Sequence, residues 1–502
     1  MMINVLKGVN RPSLFSTVAP ARWETVIGLE IHAQISSQSK LFSNAPNQTG
    51  IEGYFLPNSK VDLMDVALPG TLPVVNRHCV DCAIKTGLAI NGQINRNSSF
   101  DRKHYFYCDL PHGYQITQQR SPIVKGGHIK FILPNHVEKK VEISHIQLEQ
   151  DSGKSIHDQH PQLSLVDLNR AGVPLMEIVT GPDMRSSEEA GLFVTKLQEL
   201  LRAIGTSSAN MDLGEFRCDV NVSVHREDNH DSLGVRTELK NLNSIKFITK
   251  AIEYEAQRHI QLLEKGEQVK RETRFYDPSN NTTFSLRRKE DEVDYRFMPE
   301  PDIPPISLDE EYIENVKSTM PKLPDELREE YSKKGLGKDE IEVLLGTYGA
   351  VQYFEQAYPG RDPKRMALWI TNDLLGHLKS SRTSIIDSVV QPHHLNQLLE
   401  LVETNYITNA VAKEVLPIML SGDHRHPKQI VDDNGWKQES NEEAIRVRAL
   451  ELIQTCPKEV QKYRGGNKRT LGFFVGTILK EQKGKANPQQ VNDIMQALLD
   501  AE

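Results

Sequence analysis

Cysteine is scarce in this chain: five residues in 502 (Cys79, Cys82, Cys108, Cys218 and Cys456). So small and odd a set argues against a disulfide framework and for a reducing compartment. Long apolar runs are absent too, and none approaches the roughly 20 residues that span a bilayer. There is no excess of positive charge, since 60 Lys and Arg stand against 68 Asp and Glu. Nucleic acid, if bound, would have to meet a local basic patch. Also missing are a G-x-x-x-x-G-K-[ST] loop and a dinucleotide fingerprint, so a nucleotide would need another cradle. No Ser-Lys or Cys-His constellation suggests a nucleophile.

What is present divides into three stretches after a start of 22 residues that holds Lys7, Arg11 and Arg22 but no acid before Glu24. An acid-free, Arg- and Ser-containing start suits a mitochondrial transit peptide, or a disordered N-terminus. Residues 23–301 carry period-2 alternation and turns rich in Gly, Pro, Asn and Asp, the pattern of antiparallel strands with one face on a core. Ile27, Leu29, Ile31 and Ile35 alternate with Glu30, His32 and Gln34. Ile146 and Leu148 alternate with Gln147, Glu149 and Asp151. The cleanest run is 215–225, where Phe216, Cys218, Val220, Val222 and Val224 oppose Glu215, Arg217, Asp219, Asn221, Ser223 and His225. A shorter run sets Val235 and Leu239 against Arg236, Glu238 and Lys240. Two helices cover the apolar side: one capped at Ser186 and stopped at Gly205, the other running from about Ile248 to Gly266. A Pro-rich connector at 299–305 closes this α+β domain, and all-α patterning follows in segments 302–390 and 391–502. Cys79 and Cys82 have metal-like spacing, but Val80, Ala83 and Ile84 around them predict a core helix with structural thiols.

The polar face of the predicted sheet holds Glu30, His32, Glu149, Asp151, Glu215 and Asp219 with Arg217, Arg236 and Lys240 beside them. A solvated sheet face explains any one strand. Together, carboxylates for Mg²⁺ and cations for phosphoryl oxygens are what phosphoryl transfer needs. A second cluster, residues 100–114, interleaves aromatics with basic residues and reads either as a base-stacking surface or as a buried hairpin. A third, residues 458–485, holds Lys458, Lys462, Arg464, Lys468, Arg469, Lys480, Lys483 and Lys485 against Glu459 and Glu481. In an acidic chain that contrast predicts an RNA-binding patch, with Gly465 and Gly466 allowing close approach.

Several of these motifs also carry a resemblance. Val26-Ile-Gly-Leu-Glu-Ile-His32, Phe100-Asp-Arg-Lys103, Leu165-Val-Asp-Leu-Asn-Arg-Ala-Gly-Val-Pro-Leu-Met-Glu-Ile178, Glu238-Leu-Lys-Asn-Leu-Asn-Ser244 and Asp294-Tyr-Arg-Phe-Met-Pro-Glu-Pro-Asp302 resemble the GatB family of aminoacyl-tRNA amidotransferase components, from Trp23 onward. The resemblance implies a cradle domain over 23–301, a helical domain and a YqeY-like tail that binds tRNA. It implies an ATP- and Mg²⁺-dependent ligase in the mitochondrial matrix that amidates Glu-tRNA(Gln), with a glutaminase (GatA-type) subunit and a small (GatC-type) subunit as partners and no membrane. Catalytic roles would fall to Glu30, His32, Glu149, Arg217 and Lys240, and nucleotide contacts to Arg217, Arg236, Lys240 and Asp219. Glu30, His32, Glu149 and Asp212 would hold metal, and Lys468, Arg469, Lys480, Lys483 and Lys485 would hold tRNA. The family's Glu-Glu-Asp run reads Glu149-Gln150-Asp151 here, its preceding His is Gln147, and an acid is lost at Leu213. These departures predict a weakened metal site. They leave a non-catalytic tRNA-binding scaffold as the alternative, with a metal-dependent nuclease as a distant third.

Overall fold

Alternation along residues 23–34 builds the centre of the fold. In the computed structural model, which describes residues 23–47, 56–157, 162–228, 232–288, 295–438, 442–481 and 485–500, this run is strand β1, Trp23–Gln34. The expected transit peptide, residues 1–22, lies outside the described residues. Further along come β2 (Asp101–His104), β3 (Tyr114–Thr117), β4 (Glu138–Gln150), β5 (Pro174–Thr180), β6 (Phe216–Arg226), β7 (Thr237–Leu242), β8 (Glu272–Asp277), β9 (Thr282–Arg288) and β10 (Phe297–Pro299). The main sheet has the order β9-β8-β7-β6-β1-β5-β4, and short strands at Val124–Lys125 and Gln93–Ile94 extend it. Its pairings are antiparallel among the described strands, except β7 with β8. A smaller sheet, β10-β2-β3, is separate.

Helix α1, Arg77–Ala89, carries the C-x-x-C. Both thiols are buried, and burial pushes each pKa up to about 12, so they stay protonated and inert as the core reading requires. Helices α2 (Ser187–Ala203) and α3 (Ile245–Glu264) start on Ser186 and Ser244, whose hydroxyls accept from Glu189 N and Phe247 N. They end at Gly205 and Gly266, both left-handed at φ +70° and +77°. Ile248, Ala251 and Ile252 of α3 are buried with Val220 and Val222 of β6, which removes the apolar faces of helix and sheet from water together.

Two boundaries fall elsewhere than the sequence pattern places them. The first compact unit runs on to Met320, not 301. Ile306–Ser307 pairs with Asn97–Ser98, and helix α4, Glu310–Ser318, reaches α1 through the Tyr312 hydroxyl, which donates to Asp81 and accepts from Arg77. Proline at 299–305 thus bends the chain within the unit. In the second unit, residues on both sides of position 390 share one core, among them Leu344, Phe354, Leu398 and Leu416. A separate core, with Phe474, Ile478, Val491 and Met495, begins at Ile445. The second division therefore lies after that first helical core, because helix Pro392–Glu403 has its apolar stripe on it.

Candidate active site

Register, rather than nearness in sequence, assembles the site. His32 of β1 stands opposite Arg217 of β6 on one side and Glu177 of β5 on the other. Glu177 in turn faces Gln147 of β4, and Glu149 is two residues further along. Side chains directly opposite across antiparallel strands share a face, so one polar row crosses four strands. His32 Nε2 lies 3.3 Å from Glu149 Oε1 and 3.9 Å from Glu177 Oε2. Gln147 Nε2 donates to Glu177 Oε2 at 2.8 Å and to Thr117 Oγ1 at 3.1 Å.

This face is not open where the sequence pattern suggests it is. The β2–β3 hairpin roofs it: Thr117 Oγ1 donates to Glu149 Oε2 and Gln115 Nε2 to the Gln150 carbonyl, leaving Gln147, Glu149 and Asp151 buried. What remains is a cavity of about 570 Å³, with His32, Glu149, Arg217, Asp219 and Lys240 in its walls and Lys103 entering from the roof.

Charge inside it is strongly coupled. Burial opposes protonation of His32, but the hydrogen bond and charge of Glu149, reinforced by Glu177, outweigh it and lift the imidazole to about 9. Burial likewise opposes the charge of Glu149, yet His32 holds that carboxyl down at about 2. Burial and then the Glu149 charge push Glu177 up to about 8. Two carboxylates this close cannot both stay ionised without a cation, so a proton takes its place. Lys240 donates to Asp219 Oδ2 at 2.5 Å and lies 3.0 Å from Glu238 Oε1. Burial would lower its pKa, but Asp219 and then Glu238 raise it, and the ammonium stays charged. Arg217 donates to Asp151 Oδ2 at 2.7 Å, while its buried Nε has no hydrogen-bond partner among the described residues. A buried unpaired donor in a cavity wall is costly and fits an acceptor brought by a ligand.

The expected site residues separate accordingly. His32, Glu149, Arg217, Asp219 and Lys240 meet in the cavity. Glu30 shares the face of His32 but is held by Asn221 Nδ2 at 3.1 Å and stands outside the His32–Glu149–Glu177 group, the one such cluster of potential metal donors among the described residues. Asp212 sits exposed in the turn before β6, between the cavity-lining Met211 and Gly214, and Arg236 is exposed just before β7 begins; neither lines the cavity itself. Gln150 follows Glu149 in the strand, so the pleat turns it from that row, and Leu213 is exposed. Neither of these two substitutions takes a donor from the trio; the third departure, Gln147 in place of a His, does stand in that row and donates to Glu177 at 2.8 Å, so the expectation of a weakened site comes to rest on that position. Glu177 and Lys103 are the residues missed. Glu177 has a signal: it is the lone acid in an otherwise apolar strand, Pro-Leu-Met-Glu-Ile-Val-Thr. Lys103 belongs to the aromatic cluster, which is packed at its base and open at its tip: Phe100 meets Phe42 edge-on at 5.3 Å and Arg102 pairs with Glu300 at 2.7 Å, while Phe106 and Tyr107 are exposed.

In the tail, Arg469 and Lys480 are exposed or nearly so, and Lys485 is half-buried. Lys468 is already engaged, 2.7 Å from Asp500 and over the Tyr463 ring. Lys483 lies outside the described residues.

Comparison with known proteins gives this geometry a context. The model of the GatB/GatE catalytic domain matches residues 25–314, and that of the GatB domain matches 352–499. The chain is similar to the mitochondrial glutamyl-tRNA(Gln) amidotransferase GatB-type subunit of Dictyostelium discoideum, 44% identical over 98% of this chain and 94% of the relative. It is also similar to the corresponding subunit of the aspartyl/glutamyl-tRNA(Asn/Gln) amidotransferase of Rickettsia canadensis, 45% identical over 95% of this chain and 98% of the relative. The protein of the same description from Granulibacter bethesdensis is 45% identical over 96% and 98%.

Proposed function

The chain belongs to the GatB family, and from that premise we propose that its cavity uses ATP to activate the side-chain carboxylate of glutamate on tRNA(Gln) and presents the product to ammonia. It is the GatB component of a tRNA-dependent amidotransferase, a mitochondrial ligase that works as part of a multi-subunit assembly on tRNA. Its specific partners would be a glutaminase (GatA-type) subunit and a small (GatC-type) subunit, and its compartment the matrix. No helix among the described residues is long and apolar enough to cross a membrane.

The observation that carries this reading is the pairing of the His32–Glu149–Glu177 trio with the orphaned Arg217 Nε on neighbouring strands. The trio offers one imidazole nitrogen and carboxylate oxygens, a donor set that suits Mg²⁺ with waters or phosphate oxygens completing it. Bound there, Mg²⁺ would neutralise charge on the transferring phosphoryl group. In the first step a glutamyl carboxylate oxygen bonds to the γ-phosphorus and ADP leaves. Arg217 Nε would donate to a phosphoryl oxygen, and Lys240, held on Asp219 and Glu238, would supply a second charge. In the second, ammonia bonds to the acyl carbon, phosphate leaves, and the nitrogen gives up a proton. The chain's part is orientation and water exclusion under the β2–β3 roof.

The test is ADP release by the purified assembly that depends on both ATP and Glu-tRNA(Gln). His32→Ala and Lys240→Ala are each expected to lower it at least about 100-fold. Unchanged turnover in both would leave this face a tRNA-binding scaffold.

For the tail, Arg469→Ala and Lys480→Ala should each reduce the slope of log K for tRNA against log salt by about 0.7 to 0.9. Lys468→Ala should change it less, because Asp500 already offsets that charge. Equal changes in all three would show that the Asp500 pair opens on tRNA.

A further inference from the structure

The Lys240 ammonium reaches the cavity only through the register of β7, and the sheet itself holds that register lightly. Beside β6 the pairing shifts between Cys218 and Val220, and opposite that shift Asn241 takes a left-handed φ of +62°. The parallel pairing with β8 is short, from Glu238–Thr273 to Lys240–Phe275. Thr237 and Leu239 are fully buried on one face of β7, while Glu238 and Lys240 share the other. A slip by one residue would turn Lys240 away from the cavity and onto the buried side.

A polar cluster between α3 and the outer strands supplies what these ladders lack. His259 is fully buried, and its Nε2 lies 2.9 Å from Thr237 Oγ1 and 3.0 Å from Glu255 Oε1. Glu255 is fully buried as well; its Oε2 accepts from Thr283 of β9 at 2.8 Å, and Arg258 Nε donates to Oε1 at 3.0 Å. Thr283 Oγ1 accepts in turn from Arg274 of β8, which also donates to Glu272 at 2.8 Å. Burial opposes the charge of Glu255, but His259 and Arg258 hold its carboxyl down at about 2, so it stays ionised. His259 Nδ1 is buried with no hydrogen-bond partner among the described residues. An ionised and incompletely satisfied cluster is a poor source of stability, since apolar side chains of like volume serve as well. What it gives that leucine cannot is direction. One hydroxyl of β7 meets one ring nitrogen, and a slipped strand would bring Arg236 or Glu238 there instead.

We propose that His259, held by Glu255, is a positioning residue for the reaction: by pinning Thr237 it fixes the register of β7 that points Lys240 into the cavity. This rests on the proposed role of Lys240, and the test separates the two. In the full assembly, Thr237→Val and His259→Leu are combined, which removes both partners of the hydrogen bond and leaves shape nearly unchanged. His259→Gln is the conservative variant, because its amide nitrogen can donate to Thr237 and Glu255 in place of the ring nitrogen. Each is made with Lys240 intact and with Lys240→Ala. ADP-release kinetics are read beside hydrogen exchange of the β7 amides.

The combined variant should speed exchange across residues 237–242 about 10-fold or more and lower kcat/KM for ATP about 10- to 100-fold. On the Lys240→Ala background it should cost less than about twofold more, because both act through one ammonium. His259→Gln should stay within about threefold of wild type in both readouts. A merely structural cluster would give the same fold loss on both backgrounds, and that result overturns the proposal. So do unchanged exchange in β7 and a Gln variant as impaired as the combined one. Should the combined variant lower the melting temperature by more than about 5 °C, Thr237→Val alone is judged by the same comparisons. Faster exchange, with turnover that ignores both the variant and Lys240→Ala, would keep the register lock and count against the proposed function instead.

Discussion

Glu177→Gln is expected to lower Mg²⁺-dependent turnover of the assembly by about two to three orders of magnitude, while making the metal-free chain more stable. Both effects come from one carboxyl. Without a cation, burial and the Glu149 charge push Glu177 up to about 8, above its unfolded value. A carboxyl whose folded pKa is raised costs nothing while both states hold the proton. The cost appears as pH rises past the unfolded value near 4.3 and is full above about 8. Gln keeps the shape and has no such cost. The variant should match wild type near pH 4 and exceed it at pH 8 by about 1 kcal/mol or more, roughly 2 °C in a unit of this size. Metal binding must displace the protons on Glu177 and on His32, itself raised to about 9, so Mg²⁺ affinity should climb between about pH 6 and 9. Calorimetric titration of Mg²⁺ across that range, with thermal melts of both chains, checks each part. A pH-independent affinity would remove the trio from metal binding, and a melting temperature that does not rise would mean that Glu177 holds no extra proton in the metal-free chain.

Arg217 has the second large effect, and two substitutions divide its roles. Arg217→Ala removes the closest charge partner of Asp151, a buried carboxylate, and leaves it the Ser152 N–H at 2.9 Å and the longer ion pair to Arg170 at 3.5 Å. The expected loss is about 1 to 2 kcal/mol of stability, because the Arg217 side chain is itself more than a third exposed, together with a fall of about 10² to 10³ in kcat/KM for ATP. Arg217→Lys can keep the charge beside Asp151 but has no Nε and no fork. It should recover most of the stability and little of the ATP efficiency. Melting curves and ADP-release kinetics on both variants decide it. Recovery of the kinetics by Lys would mean that charge alone is used and that the orphaned Nε does not meet the nucleotide.

Some of the site is legible before folding because a strand has a fixed period. The alternation Phe216, Cys218, Val220 against Arg217, Asp219 assigns a face with no knowledge of the neighbours, and it places both polar residues correctly. The same logic fails one strand later. Val235 proposes a start that would carry Arg236 into the site, yet β7 begins at Thr237, a fully buried threonine, while Val235 is nearly half exposed. Thr fits a strand core as well as Val does, so hydrophobicity alone misplaces the start. Glu177 escapes for a different reason. A strand in mid-sheet is apolar on both faces over most of its length, and its single acid then looks like part of a motif rather than a ligand. Lys103 is legible only as one basic residue of the 100–114 cluster, since the hairpin fold alone brings it over strands far away in sequence.

The sequence alone therefore determined the α+β character of the first unit, the helical second one, the family, and which residues of β1, β4 and β6 share the polar face. These follow from local periodicity, capping and turn chemistry, all readable within about ten residues. The tertiary structure decided which of those residues meet. Antiparallel register set Arg217, His32 and Glu177 in one row, and the β2–β3 roof turned an exposed face into a buried one where pKa values diverge. Register and burial are sums over contacts between distant segments, and no local pattern contains them.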